Sequence, residues 1–462
     1  MKWISLIATS LISAGSLMAE DFSAFPGKSA PAATILPETQ NVSRPISPGV
    51  LALSQSERQA LRLARSGDLL RLPSIEAFTG DNEDTLQFQR FELFATGARA
   101  YLVTGERRTE LERRPMHYFL ASNRSTGIGL AVDTLTGAIR GFATRGGERL
   151  EIHHTTGMDM QFSPVEDPAD NSNSCSTHDA DQPPEALAFL DERSALSQSA
   201  AAAGETISYQ AVVAVDADSE WVAAKQSPDA ALQWISEIFL AMNVFYERDV
   251  ETRLLIGDVI LRGATDPYSE PSDRNLQLDE FAAHWRLNHG DIDRDFATSF
   301  SGRGIGAGSF SGIAWVNQYC QQGFVQSNGR TVGSYSFNAI GSARTTANTA
   351  LFVGHEIAHN LGSRHTHCYT PAVDQCYASE SGCYSGPVSC PAGGKGTIMS
   401  YCHFSTASGG ANCGSSKSEF HPTVQSLLED RLAANSPNCI AAFTAPSPEP
   451  GESLFSSGFE QP

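Results

Sequence analysis

His355, Glu356, His359, Gly362 and His365 form the pattern His-Glu-x-x-His-x-x-Gly-x-x-His, and each of these residue types has a task in metal-assisted hydrolysis. On a helix, His355 and His359 stand at i and i+4, so both imidazoles leave one face and share a metal. Glu356 sits one position round, close enough to polarise a water without being a ligand. Gly362 has no Cβ to clash in the left-handed conformation that ends a helix, and the chain then presents His365 from another direction. Three imidazoles with one open position describe a catalytic Zn2+ site holding one ion, because structural sites close with four protein ligands. A bare His-Glu-x-x-His also arises as two solvated histidines on a surface helix. The five-residue pattern has a chance occurrence on the order of 10⁻⁵ to 10⁻⁴ in a chain of this size, which favours zinc.

A second segment, Gly396-Thr-Ile-Met-Ser-Tyr-Cys402, resembles the methionine turn that lies beneath the metal in metzincin metalloproteases. Alone, Met399 reads as an adaptable core filler. Together with the upstream motif it narrows the resemblance. His355-Glu-Ile-Ala-His-Asn-Leu-Gly-Ser-Arg-His365 is similar to the reprolysin or adamalysin branch, as is Phe310-Ser-Gly-Ile-Ala-Trp-Val-Asn-Gln-Tyr-Cys320. The resemblance runs from about residue 205 to 440. It implies an α+β metzincin domain: a mixed, mainly parallel twisted sheet with an antiparallel edge strand, an active-site helix and the methionine turn, preceded by a small mainly-β propeptide. It also implies that Gly312, Ile313 and Ala314 lie on the strand that receives substrate, and that Cys320 pairs with Cys439. Two positions depart from the branch. Thr366 stands where Asp usually follows the third His, and Tyr401 follows Met399 by two residues, as in astacin-like and serralysin-like enzymes.

The chemistry that follows is peptide hydrolysis at zinc held by His355, His359 and His365, with Glu356 as general base and then acid. Tyr401 has two readings, a hydrogen bond to the oxyanion or packing under the turn. His367 and His403 read as supporting or surface groups. A zinc-containing binding or adhesion protein without catalysis, and a zinc amidase acting on a non-peptide substrate, are the alternatives. The first usually loses the Glu or a His, and this chain keeps all four.

A net charge of −20 argues against nucleic acid as a partner, since phosphates call for clusters of Lys and Arg. Protein or peptide substrates remain, with a monomer expected; structural Ca2+ is undecided by the sequence. Residues 1–19 carry one Lys, an apolar run and a closing Ala19, the pattern of a secretory signal peptide, which predicts a secreted or periplasmic protein. No apolar stretch suits a membrane span. Eight of the nine cysteines fall between Cys320 and Cys439, and in an exported chain they read as disulfides. Cys368, Cys376, Cys383, Cys390, Cys402 and Cys413 allow 15 pairings. Cys383 and Cys390 with His367 or His403 could instead form a second zinc site.

Residues 20–162 read as a propeptide: a Pro/Ser/Ala-rich leader to about 50, a helix around Ser54–Ser66, then short strands from Gln87 to His153 including Phe91–Ala95, Ala100–Val103, His117–Ala121 and Gly127–Val132. Residues 163–204 are polar and acidic with several prolines, a flexible linker suited to a maturation cut. Cys175 lies within it. A thiolate there suits a switch that occupies the zinc; the alternative is an unpaired or intermolecular thiol. The metalloprotease domain, 205–442, is expected to contain strands Ile207–Val215 and Arg253–Leu261, helices Pro228–Tyr246 and Leu278–His289, an edge strand Gly312–Val316 and a closing helix through Val424, Leu427, Leu428 and Leu432. The tail, 443–462, is Pro-rich with a short aromatic end, either a sorting signal or inert.

Overall fold

The computed structural model describes residues 47–79, 86–123, 125–155, 159–165, 173–175 and 207–444. The signal peptide, most of the leader and linker and nearly all of the tail lie outside these residues.

The second half of the chain is built on strands Tyr209–Ala217, Thr252–Arg262, Phe296–Ser301 and Tyr335–Ile340, which run parallel, with Phe310–Ala314 antiparallel to the last. Tyr209–Ala217 reads as a nearly continuous apolar run and is buried over most of its length, as a parallel strand covered on both faces should be. Helix Pro228–Val250 packs on one face. Ser227 accepts the Ala230 N–H at its start, Pro228 fixes the first turn, and Glu251 ends it at φ 50°. Helix Arg274–Asn288, started by Asp273, covers the other face through Leu278, Phe281 and Trp285, which pack with Ile313, Trp315 and Tyr335. Against the expected spans, Tyr209–Ala217 is shifted by two residues, Pro228–Val250 runs on past Tyr246, and Arg274–Asn288 starts before Leu278 because its cap Asp273 lies outside the apolar periodicity. The fold is thus a mixed α/β domain with a mainly-β N-terminal region.

That N-terminal region forms a sheet of eight strands among the described residues, in the order Gly49–Ala52, Asp159–Pro164, Glu148–His154, Ile139–Arg145, Thr126–Asp133, Met116–Ser122, Gln87–Phe91, Leu69–Arg71. Ser54 and Glu57 form a reciprocal capping box at the start of helix Gln55–Leu63, shorter than Ser54–Ser66. One face of the sheet packs on its own cluster around Phe88, Phe119, Ile128 and Phe162. The other presses on helix Pro228–Val250, so closely that a Cβ at Gly127 would overlap Val244.

Three expectations need correction. The strands between Gln87 and His153 do not all belong to one small domain: Ala100–Thr104 pairs in parallel with Thr252–Arg262, and Arg107–Leu111 closes that edge of the C-terminal sheet. A strand's alternation says that it pairs, not with which sheet. The outer strand, Arg-Arg-Thr-Glu-Leu, is charged and exposed, as suits an edge that must not recruit another chain. The strand expected at Phe91–Ala95 lies at Gln87–Phe91, and Phe94 makes only a bridge to Ile256. Finally, Asn173–Cys175, within the expected linker, is a strand paired in parallel with Phe310–Ala314. The strand expected as the edge at Gly312–Val316 therefore begins at Phe310, and its outer side is covered.

Candidate active site

Helix Thr346–Asn360 carries the first three motif residues. Thr345 caps it by accepting the Asn348 N–H, and Glu151 of the N-terminal sheet accepts from the Ala347 N–H and the Thr346 hydroxyl. Asn360 donates to the Trp315 and Tyr335 carbonyls, which fixes the helix end against the sheet. Gly362 then turns the chain at φ 114°, where a side chain would be strained and would crowd Arg431.

The three histidines are buried, and each has its Nδ1 on an acceptor: His355 on the Ile398 carbonyl at 2.8 Å, His359 on the Ser363 carbonyl at 2.7 Å, His365 on the Glu380 carboxylate at 2.8 Å. Carbonyl and carboxylate oxygens only accept, so each Nδ1 is the protonated nitrogen. The lone pairs are then on Nε2, and these converge: His359 Nε2 lies 3.0 Å from that of His355 and 3.2 Å from that of His365. Nitrogens about 2.0–2.1 Å from a tetrahedral zinc are separated by about 3.3 Å. Burial and the neighbouring His365 push the His355 imidazole down to about 3, and burial with His355 holds His359 well below its ordinary value. Neutral rings with three converging lone pairs are the donor set a cation requires, and they fit zinc.

Cys175 completes the cluster. Its sulfur and the nitrogens of His355, His359 and His365 all lie within 4.8 Å of one another, with Sγ 3.6 Å from His359 Nε2 and 3.5 Å from Glu356 Oε2. The backbone register explains the placement, since Cys175 is opposite Gly312. Gly312 must lack a side chain, because a Cβ there would overlap the Glu356 carboxylate. Tyr401 donates its hydroxyl to the Cys175 carbonyl at 2.7 Å and its ring lies 4.1 Å from that of His365. Burial, and then Cys175, push its hydroxyl well above 10, so it stays a donor.

Met399 is fully buried. Thr366 sends both its N–H (3.0 Å) and its hydroxyl (3.2 Å) to the Met399 carbonyl, tying the third histidine to the turn. Ile313 and Ala314 share the strand with Gly312, but Ile313 packs away from the histidines, under helix Arg274–Asn288. The cysteines pair as Cys320–Cys439, Cys368–Cys383, Cys376–Cys402 and Cys390–Cys413. Cys383 and Cys390 are thereby spent, which overturns a second zinc site built on them. Cys376–Cys402 ties the irregular loop to the residue after Tyr401, and Cys320–Cys439 anchors the C-terminal segment. His367, fully buried, is not a surface group. The sequence reading missed Glu380, which is buried and joins His365 and His367; no spacing rule marks a Glu in an irregular loop.

Residues 208–409 match the Reprolysin_5 family model, described as metallo-peptidase family M12. This segment is similar to metallopeptidase family M12. The likeness agrees with the donor set. The M12 segment holds the three histidines, Glu356, Met399 and Tyr401, and ends before the closing helix Pro422–Asn435. Among solved structures, the chain is similar to metalloproteinase-II from Bacteroides fragilis at 13% identity and a TM-score of 0.28, over 62% of this chain and 79% of that one. It is also similar to a chain in a chaperone–substrate complex at 13% identity and a TM-score of 0.26, over 62% of this chain; it spans only 37% of that chain's length. No curated protein matches. No helix among the described residues is long and apolar enough to cross a membrane.

Proposed function

We propose that this chain is an exported zinc endopeptidase made in latent form, with Cys175 as the group that keeps it silent. The observation that carries this reading is the meeting of one thiol with three metal-ready imidazoles, beside Glu356. His355, His359 and His365 would hold Zn2+, which when bound supplies Lewis acidity toward a peptide carbonyl and lowers the pKa of water toward about 7. Glu356 takes a proton from the attacking water as the carbon–oxygen bond forms, and delivers it to the amide nitrogen as the carbon–nitrogen bond breaks. Tyr401, which donates to the Cys175 carbonyl, donates to the substrate carbonyl oxygen as charge develops there. A substrate peptide adds to strand Phe310–Ala314 when Asn173–Cys175 leaves it, gaining main-chain hydrogen bonds in the same slot.

Latency requires a way out, and the proposed maturation cut lies between residues 176 and 206, downstream of Cys175. Residues 20–162 with the linker act as the pro-region, and 205–442 as the enzyme. Four disulfides between Cys320 and Cys439 support an oxidising compartment, in line with the signal-like 1–19. The test is Glu356→Ala. It should lower cleavage of casein by about 10²–10⁴-fold while metal analysis still finds one zinc per chain. Cleavage at the parent rate would sink the reading.

A further inference from the structure

We infer that Glu380 is a positioning residue for the metal site: its buried carboxylate orients His365 and makes that imidazole a stronger donor than the other two. The inference rests on the reading of His355, His359 and His365 as zinc ligands. His355 and His359 need little help, because helix Thr346–Asn360 sets their spacing. His365 lies beyond the helix, after the Gly362 turn, so its ring must be fixed by side chains and loops. One Glu380 oxygen, Oε2, lies 2.8 Å from His365 Nδ1 and 2.8 Å from His367 Nε2, and the three side chains are at most 2% exposed.

The difference among the three histidines is one of charge. His355 and His359 donate to neutral backbone carbonyls, and His365 alone donates to a carboxylate. An anionic acceptor pulls harder on the Nδ1 proton and pushes electron density toward Nε2, the nitrogen that faces the site; such partners of metal-bound histidines typically contribute 10–100-fold to metal affinity. Burying an anion is costly unless it is hydrogen-bonded, and here two imidazole N–H groups meet it. The loop that carries Glu380 is clamped by Cys368–Cys383, and the Tyr384 N–H is bonded to the His367 carbonyl at 2.9 Å. Glu380 is thus held from both sides of its own loop, with His367 as the second strut.

The experiment is a chelator competition that measures the zinc dissociation constant of the full chain and of Glu380→Gln, which keeps the shape and removes the charge. The expected result is a 10–100-fold weaker affinity, with circular dichroism and all four disulfides as in the parent, and cleavage recovering as zinc is raised once the chain has been cut between 176 and 206. A folded Glu380→Gln chain whose zinc affinity lies within threefold of the parent overturns the inference. So does a variant that loses thermal stability equally with and without zinc while binding the metal as before, since that is a purely structural role. If Glu380→Gln does not fold, Glu380→Asp decides: the carboxylate is set back by one methylene, and a three- to tenfold loss is expected, whereas parent-like affinity overturns the proposal. A parent chain that binds no zinc would instead refute the metal-site reading on which this rests.

Discussion

The N-terminal region covers both edges of the M12 sheet, and it does so in unlike ways. At the site edge, the contact with strand Phe310–Ala314 is three residues, Asn173–Cys175. At the far edge, Ala100–Thr104 and Arg107–Leu111 extend the sheet by a hairpin, and Phe91, Leu93, Leu120 and Phe142 share one core with helix Pro228–Val250. Three register pairs at about 1 kcal/mol per net hydrogen bond come to about 3 kcal/mol. Four large apolar side chains at about 1.5–3 kcal/mol each come to about 6–12 kcal/mol, comparable to the whole stability of a domain. Other polar contacts hold the N-terminal region elsewhere than at Asn173–Cys175: Arg253 donates to Gln89 at 2.9 Å, Arg149 to Asn348 at 2.6 Å, and Glu151 accepts from the start of helix Thr346–Asn360. On the proposed reading, the first edge is the one released at maturation and the second is the one that stays.

The largest effect should come from removing the edge that stays. A chain of residues 205–462 alone would leave Thr252–Arg262 as a bare apolar edge and expose one side of helix Pro228–Val250. It is expected to yield no folded, soluble enzyme, as read by near-ultraviolet circular dichroism and size exclusion. By contrast, a cut between 176 and 206 in the full chain should activate it while the N-terminal fragment co-elutes with the enzyme until denaturant is added. A stable, active 205–462 chain would erase the distinction between the two edges.

A smaller effect separates the edges by point substitution. Cys175→Ala removes the sulfur from the site and should raise cleavage by the uncut chain at least about tenfold, because each 1.4 kcal/mol of lost holding energy is tenfold in the open population. Phe91→Ala at the far edge should do the reverse: a loss of about 3–5 kcal/mol in urea unfolding with no gain in latent activity. Equal activation by both would show that latency comes from the whole N-terminal region and not from the thiol.

What was legible in the sequence follows the range of the interaction that fixes it. The helix-borne His355, Glu356 and His359 and the nearby His365 are specified by local spacing, so the site could be read before the fold. The parallel strands and their covering helices were legible from apolar runs, short by a few residues at the start capped by Asp273 and at the end of Pro228–Val250. Glu380 was not legible, since it reaches His365 through a loop closed by Cys368–Cys383, and 15 pairings were open. Nor was Asn173–Cys175, whose polar composition says linker; its strand exists because Phe310–Ala314 offers unpaired backbone groups. Ala100–Thr104 was recognised as a strand but assigned to the wrong partner, because its apolar residues fit either sheet.

The smallest expected effect lies between the two edges, at Asp295, and it titrates. Asp295 accepts the Val212 N–H of strand Tyr209–Ala217 at 2.7 Å, and burial, with Asp293 adding to it, pushes its carboxyl up to about 6. An acid whose folded pKa is raised stabilises the fold while it is protonated. That contribution is full below the unfolded value of about 3.9 and is lost as the pH rises toward 6. Asp295→Asn keeps an acceptor for Val212 without the charge, so the variant should match the parent near pH 4 and exceed it above pH 7, by on the order of 2 kcal/mol. Urea midpoints at the two pH values measure this. The change should leave both edges untouched, with Cys175 still silencing the uncut chain and the cut fragment still co-eluting. A variant that gains equally at both pH values would show that Asp295 costs stability through packing and not through its charge.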